Sequence, residues 1–599
     1  MSVKIIDKNG NISESKYKDS ISVVRHSASH VLAEAVKRIY KDAKLAIGPA
    51  VENGFYYDFD NVNIKQEDLR KIENIMKNII SKNKEIKGYT LSKQEALEKM
   101  KDEPYKIELI NELAENEEIS FFENDEFVDL CAGPHLTSTK QIGSIKLLSV
   151  TGAYWRGSEK NKMLTRIYGT AFETEKELEE YLEKLEEAKR RDHNKLGREL
   201  ELFTTVDYIG QGLPILMPKG ARIIQILQRF VEDEEQRRGY LLTKTPLMAK
   251  SDLYKISGHW SHYRDGMFIL GDAEKADEEE VLALRPMTCP FQFMAYKNKL
   301  RSYKELPFRY NETSTLFRNE DSGEMHGLIR LRQFTISEGH IVVRPEQLEE
   351  EVKNSVDLAN YMLDVLGLKE DVSYRFSKWD PNNKEKYIGN EEDWEKSQEA
   401  LKKILDNLGL EYTEEEGEAA FYGPKLDIQC KNVWGKEDTI ITVQVDFALA
   451  EKFDMTYVDS DGSKKTPIII HRTSIGCYER TLALLIEKYA GAFPLWLAPI
   501  QAKILSISEA HSEYAKKIAD ELNRYGFRVE LDIRNEKIGY KIRESRLEKV
   551  PYMLIVGDKE MNDEKVAVKT RTGEDLGVMS LDDIKFIFDD EIEKAMKRS

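Results

Sequence analysis

Cysteine is scarce in this 599-residue chain: Cys131, Cys289, Cys430 and Cys477 stand far apart, with no CxxC pair among them. That spacing argues against a disulfide framework and leaves single thiols as candidates for ligand or catalytic roles. Long hydrophobic runs are missing too, and none reaches the ~18 residues of a membrane span. The opening segment, MSVKIIDKNGNISESKYKDS, lacks the apolar core of a secretory signal. We therefore expect a cytoplasmic protein with no membrane partner. Net positive charge is also absent: 90 Lys and Arg face 108 Asp and Glu, leaving −18. This argues against generic adhesion to nucleic acid, but not against a specific RNA recognised through a local basic surface. No internal repeat or low-complexity tract occurs.

What is present is a large ordered chain, 33% charged and 41% hydrophobic, too long for one core. A strand-and-turn lead-in (residues 1–24, turn at Asn9-Gly10) precedes helical spacing from Arg25, a strand at GFYYDFD and a helix at EDLRKIENIMKNIISK. Residues 25–172 then form a first α+β domain. The charged stretch 173–196 reads as a helical connector, and 197–498 as a mixed α/β domain. From 499 to 599, AKILSIS, SEYAKKIADELNRYG, FRVELD, IGYKIRESRLEKV, PYMLIVG and KVAVKTR predict a small α/β domain with a mostly parallel sheet.

Three constellations carry chemistry. His26 and His30 lie at i and i+4, so one helix face presents both imidazoles; DLCAGPH follows with Asp129, Cys131 and His135. Four such N and S donors suit a tetrahedral zinc, or a metal-free hydrolytic cleft in which they position a water. The segment PFRYNETSTLFRNEDSGEMHGLIRLRQFTISEGH reads as two antiparallel strands around a polar loop. There Arg318 suits a phosphate and Glu320 an adenine edge. In HRTSIGCYER, Arg480 stands at a strand-to-helix junction, where it can clamp the far phosphates. Residues 524–549 hold eight Lys and Arg against five Asp and Glu, a modest local basic bias.

GYLLTKTPLM, the FRNE hairpin and GCYER resemble the three class II aminoacyl-tRNA synthetase motifs. RPMTCP, HGLIRLRQFT, AFYGPK, TVQVDF and IIHR are similar to the threonyl-tRNA synthetase family. RHSASH, AIGPAVENGFYYDFD, DLCAGPH, TGAYWRG and RIYGTAF resemble its editing domain, while LDIRNEKIGYKIRE and PYMLIVGDKE resemble its anticodon-binding domain. The resemblance runs from about Arg25 to the end. It implies an α+β editing domain, a catalytic domain on a class II antiparallel sheet and a C-terminal α/β anticodon-binding domain. The expected activity is ligation of L-threonine to tRNA(Thr) with ATP and Mg2+, by a homodimer. By the same resemblance Cys289, His340 and His471 hold one zinc per subunit, with a position left open for threonine. Arg318, Arg480 and Lys425 act on ATP with Glu320, and Glu338, Tyr422, Gln444, Asp446 and Cys477 line the amino-acid and adenylate pocket. Valine cannot fill a hydroxyl-seeking site, but serine lacks only a methyl, worth about 1–3 kcal/mol. A second site that hydrolyses seryl-tRNA is therefore expected, and the resemblance implies that His26, His30, Lys106, Asp129, Cys131 and His135 form it and that it runs without metal. Asn535, Glu560, Lys569 and Arg571 are expected anticodon contacts.

Four positions depart from the family pattern: Ile336, Glu338, Cys477 and Lys569 stand where glutamine, aspartate, serine and arginine are expected. The family's small ubiquitin-like leading domain is also expected to be absent. Two alternatives stay open: a paralogue that activates another hydroxylated amino acid, and an RNA-binding regulator without ligase activity.

Overall fold

The computed structural model of the chain describes residues 2–114, 117–125, 127–272 and 281–596. They divide into two units, Met1–Glu187 and Ala188–Ser599.

In the first unit, the lead-in is a hairpin of β1 (Ser2–Ile6) and β2 (Ile12–Lys16). Helix α1 (Ile21–Ile39) starts one turn before Arg25, because Val24 already belongs to its fully buried face. It lies beside α2 (Leu69–Ser81) against an antiparallel sheet built on β3 (Gly54–Asp60), β8 (Ser144–Tyr154) and β9 (Met163–Phe172). Val31, Leu32, Phe55, Tyr57, Ile72 and Ile167 are fully buried between these layers, each such side chain contributing about 1.5–3 kcal/mol. A second sheet pairs β4 (Lys87–Leu91), β5 (Ile119–Asn124) and β6 (Phe127–Leu130), and α3 (Pro104–Glu112) precedes β5. The short β7 (His135–Leu136) pairs with β1, Ile6 opposite His135. The lead-in hairpin is thus built into this unit and braces the strand that carries His135. The charged connector is α4 (Glu175–Arg191), followed by α5 (His193–Glu199).

The second unit is organised by an eight-stranded sheet. Its strands are β10 (Leu241–Leu242), β11 (Phe308–Phe317), β12 (Gln333–Val343), β13 (Val372–Lys378), β14 (Tyr412–Glu416), β15 (Lys425–Lys431), β16 (Glu437–Asp446) and β17 (Ile468–Cys477). In space they run β10-β11-β12-β17-β16-β15-β13-β14. The five central pairings are antiparallel and only the two edge pairings are parallel. Helices α6 (Pro218–Arg237), α8 (Leu348–Leu366) and α9 (Tyr478–Tyr489) share one continuous apolar core with the sheet, and α7 (Cys289–Tyr296) belongs to a second core.

The C-terminal sheet runs β19 (Val529–Asp532), β18 (Ala502–Ser506), β20 (Tyr552–Val556), β21 (Val566–Thr570), β22 (Asp575–Met579), with α10 (Ser512–Tyr525) and α11 (Ile538–Leu547) as crossovers. The expected mostly parallel sheet is half antiparallel: β18 pairs in parallel with both neighbours, but β20–β21 and β21–β22 are antiparallel. Residues 557–565 hold only a five-residue helix, too short for the crossover a parallel strand needs.

Candidate functional site

A single rung of the large sheet gathers residues far apart in sequence. Tyr310, His340, His471, Gln444, Lys425 and Ser377 stand directly opposite one another across six strands. Opposed residues share a face, so two imidazoles, an amide and an ammonium lie side by side, and His471, Gln444 and Lys425 of this row line one cavity. Cys289, first residue of α7, completes the set: its Sγ and one nitrogen each of His340 and His471 all lie within 4.8 Å of one another. All three residues are buried. His340 Nδ1 meets Gln292 Oε1 at 2.5 Å, which fixes the tautomer and leaves Nε2, a buried atom without a hydrogen-bond partner, to face the site. His471 Nε2 lies 2.8 Å from Asp446 Oδ2, and Tyr422 stacks on the same ring with centroids 4.7 Å apart. An S, N, N donor set with an orphaned imidazole nitrogen fits zinc with an open position.

The cavity, about 550 Å³, is lined among others by Met287, Cys289, Arg318, Glu338, Tyr422, Lys425, Gln444 and His471. Glu338 accepts the Thr288 N–H at 3.2 Å, with its other oxygen 3.5 Å from His340 Nε2. Burial raises its pKa above the ordinary carboxylate value. Burial also drives His340 well below the usual histidine value and lifts the Cys289 thiol, the latter helped by the charges of Glu338 and Asp446. Tyr422 donates its hydroxyl to Gln444. Asp446, which the sequence placed on the pocket wall, is fully buried behind His471, where its other oxygen accepts the N–H groups of Ala448 and Leu449.

A neighbouring cavity of about 260 Å³ shares Arg318, Lys425 and Gln444 and adds Glu320, Phe334, Cys477 and Arg480. Arg318 lies over the Phe334 ring at 5.2 Å. Arg480 donates to Ile329 O at 2.9 Å and Thr439 O at 2.6 Å, and Lys425 pairs with Asp427 at 2.9 Å. Desolvation, with help from Glu324, raises Glu320. Cys477 donates to Glu479 Oε2 at 3.3 Å, and burial lifts its thiol. The β17-to-α9 junction depends on Gly476: at φ +70, a Cβ there would lie 1.7 Å from Ile440 O. His259 was not among the expected site residues. This buried histidine on the first cavity is bonded to Ser257 Oγ at 2.8 Å and driven to about 3 by burial. The Gly258-His259-Trp260 run was its only local signal.

In the first unit, His26 and His30 on α1 meet Cys131 and His135 as their spacing suggested, four donor atoms lying within 4.8 Å of one another. Cys131 Sγ is 3.2 Å from His26 Nε2 and 3.3 Å from His135 Nε2. Ser27 Oγ lies 3.2 Å from His135 Nδ1. Beside them the buried Lys106 pairs with Asp129 at 2.6 Å, and Tyr57 donates to the other Asp129 oxygen at 2.6 Å. His30 Nε2 is 3.6 Å from that oxygen. Burial lowers all three histidines, His30 and His135 strongly, and pushes Cys131 up to about 12. Neutral imidazoles thus surround a protonated thiol next to a buried ion pair, a polar cleft able to orient a water.

The four expected anticodon residues are less unified. Asn535 is exposed after β19, and Glu560 accepts the Gly557 N–H at 3.1 Å to cap a short helix. Lys569 pairs with Asp575 at 3.1 Å. Arg571 donates to Phe493 O at 2.6 Å and, with Arg543, Arg546 and Lys549, lines a cavity of about 690 Å³. Among the described residues no hydrogen bond or ion pair joins any two of the four.

Three family models match segments of the chain. Residues 272–489 match the class II tRNA synthetase core domain (G, H, P, S and T), residues 498–589 the anticodon binding domain, and residues 119–168 the threonyl and alanyl tRNA synthetase second additional domain. The chain is 64% identical over 567 residues to a threonine–tRNA ligase of Clostridium perfringens, covering 94% of this chain and 88% of that one. A threonine–tRNA ligase of Anoxybacillus flavithermus is 49% identical over 584 residues, covering 97% and 89%. The crystal structure of the RNA binding domain of threonyl-tRNA synthetase from Cryptosporidium parvum superposes with TM-score 0.63 at 36% identity, covering 67% of this chain and 98% of that one.

Proposed function

The chain belongs to the threonyl-tRNA synthetase family of threonine–tRNA ligases, and on that premise we propose how its sites divide the work. The second unit activates L-threonine with ATP and transfers it to tRNA(Thr); the first hydrolyses seryl-tRNA(Thr). The observation that carries this reading is the rung of His340, His471, Gln444 and Lys425, with Cys289 beside it, opening into the cavity flanked by Arg318 and Arg480.

Cys289, His340 and His471 would hold one zinc, which when bound supplies a Lewis-acidic anchor for the amino and hydroxyl groups of threonine. Gln292 and Asp446 fix the two imidazoles from behind. Glu338, Gln444 and Tyr422 shape the wall around the amino acid and turn its carboxylate toward the second cavity. There Arg318 and Arg480 grip ATP, which arrives with Mg2+, Glu320 meets the adenine and Lys425 lies between the two substrates. The threonine carboxylate attacks the α-phosphorus and pyrophosphate leaves; a terminal ribose hydroxyl of the tRNA then attacks the adenylate carbonyl, forming the ester and releasing AMP. Two preorganised guanidiniums suit the charge that develops in such a step.

Serine retains both polar groups of threonine, so the cleft of His26, His30, Lys106, Asp129, Cys131 and His135 supplies the missing discrimination by orienting water on the ester, without metal. Asn535, Glu560, Lys569 and Arg571 remain the proposed anticodon contacts, and we propose a cytoplasmic homodimer. Pyrophosphate exchange with threonine, serine and valine, before and after zinc removal, tests the loading half. Exchange should be strongest with threonine, weaker with serine, absent with valine and lost on chelation. No exchange from zinc-loaded protein would overturn the reading in favour of a regulator without ligase activity.

A further inference from the structure

We propose that His193 is a positioning residue for ATP, a buried strut that sets the β11–β12 loop against α9. The inference rests on the reading of Arg318 and Arg480 as ATP ligands. Arg318 begins that loop and Arg480 sits in the first turn of α9, and the two elements are tied at two points. One is direct: Arg480 Nε donates to Ile329 O at 2.9 Å. The other runs through His193, the first residue of α5. Its Nδ1 lies 2.7 Å from Glu487 Oε1, and its Nε2 accepts the Leu328 N–H at 3.3 Å. Only the neutral Nδ1–H tautomer makes both bonds. Glu487 follows Arg480 by two turns on the same face of α9, and its second oxygen accepts the Val433 N–H at 3.2 Å.

The neighbouring loop backbone is moulded to the imidazole. Gly327, at φ +51, approaches so closely that a Cβ there would lie 2.1 Å from His193 Nε2. His193 is fully buried and Glu487 is 2% exposed, so in the folded protein the ring, and not bulk water, links the two elements. The consecutive residues Leu328 and Ile329 thus meet α9 through one imidazole and one guanidinium. Loss of the imidazole frees one of these two tethers and lets the loop drift relative to Arg480.

The test is pyrophosphate exchange by the full chain, with KM measured separately for ATP and threonine. His193→Ala should raise the ATP KM about tenfold, a size typical of misplaced binding groups, and leave the threonine KM within about twofold. His193→Gln, which keeps one donor and one acceptor, should recover most of the loss. Glu487→Ala should match His193→Ala without adding to it in the double variant. Tyr489→Phe, which removes a half-buried hydroxyl bond from α9 to Leu366 O of α8, should leave the ATP KM unchanged. If His193→Ala does not fold, Gly327→Ala displaces the same contact from the loop side and should give the same ATP-specific rise. An unchanged ATP KM in folded His193 or Gly327 variants, or equal rises for both substrates, overturns the proposal. Arg480→Ala in parallel separates the two readings: if it too leaves the ATP KM unchanged, the assignment of the ATP arginines has failed rather than the strut alone.

Discussion

Replacing Asp129 by Asn should separate the two activities and reveal how much the cleft depends on one ion pair. Lys106 and Asp129 are 3% and 1% exposed at 2.6 Å. At an effective dielectric of about 20 their attraction is roughly 6 kcal/mol. The substitution keeps shape and leaves Tyr57 an acceptor, but strands the ammonium, whose other bond is a long 3.4 Å contact to Leu130 O. Removing one partner of such a pair costs about 3–5 kcal/mol once relaxation is included. In a unit of this size each kcal/mol shifts the midpoint by about 2–4 °C, so the first unit should melt roughly 6–20 °C lower. Differential scanning calorimetry reads that shift, and deacylation of seryl-tRNA(Thr) reads the chemistry. Both should fall while threonine-dependent pyrophosphate exchange stays unchanged. Adding Lys106→Met should restore most of the stability without restoring deacylation. A D129N protein that melts within about 1 °C of wild type and still deacylates would refute the argument that this pair organises the cleft.

Burial holds His26, His30 and His135 below the ordinary histidine value, so the unfolded chain binds more protons than the folded one below about pH 6.5. Their stabilisation is full above that pH and is lost as pH falls, by up to about 1.4 kcal/mol per pH unit for each histidine; hydrogen exchange of α1 against pH should show this, and His30→Gln should flatten it. Elemental analysis should find one zinc per chain that Cys289→Ser removes and Cys131→Ser does not. A second equivalent that leaves with Cys131→Ser would show that the first unit's tetrad binds metal as well. Gly476→Ala should cost roughly 3 kcal/mol or more, from the clash with Ile440 O and the left-handed backbone together; a chemical-denaturation midpoint close to wild type would count against that geometry.

Local pattern made some of this legible. Two strand-like runs around a polar loop announced β11 and β12, and the i, i+4 histidines with the DLCAGPH segment announced the first-unit tetrad. The editing, class II and anticodon segments declared themselves through dense short motifs. What sequence could not supply was the third dimension of the sheets. The rung that aligns His340, His471, Gln444 and Lys425 depends on strand order and register set by long-range pairing. The same limit hid His193, bonded to Glu487 across 294 positions. Asp446 was expected on the pocket wall by resemblance, which carries a position along the strand but not its hydrogen bonds. The antiparallel half of the C-terminal sheet was missed because strand alternation does not encode direction, which here followed from the shortness of one connection.

The uneven placement of the two clefts along the chain has a consequence during synthesis. The sheet that backs the first-unit cleft is complete only when Phe172 has been made, whereas the loading cavity lacks a wall until Arg480 is made. At about 5–20 residues per second, that interval lasts roughly 15–60 s. For that time a nascent chain carries the residues of the proposed editing cleft and not yet all those of the proposed loading cavity.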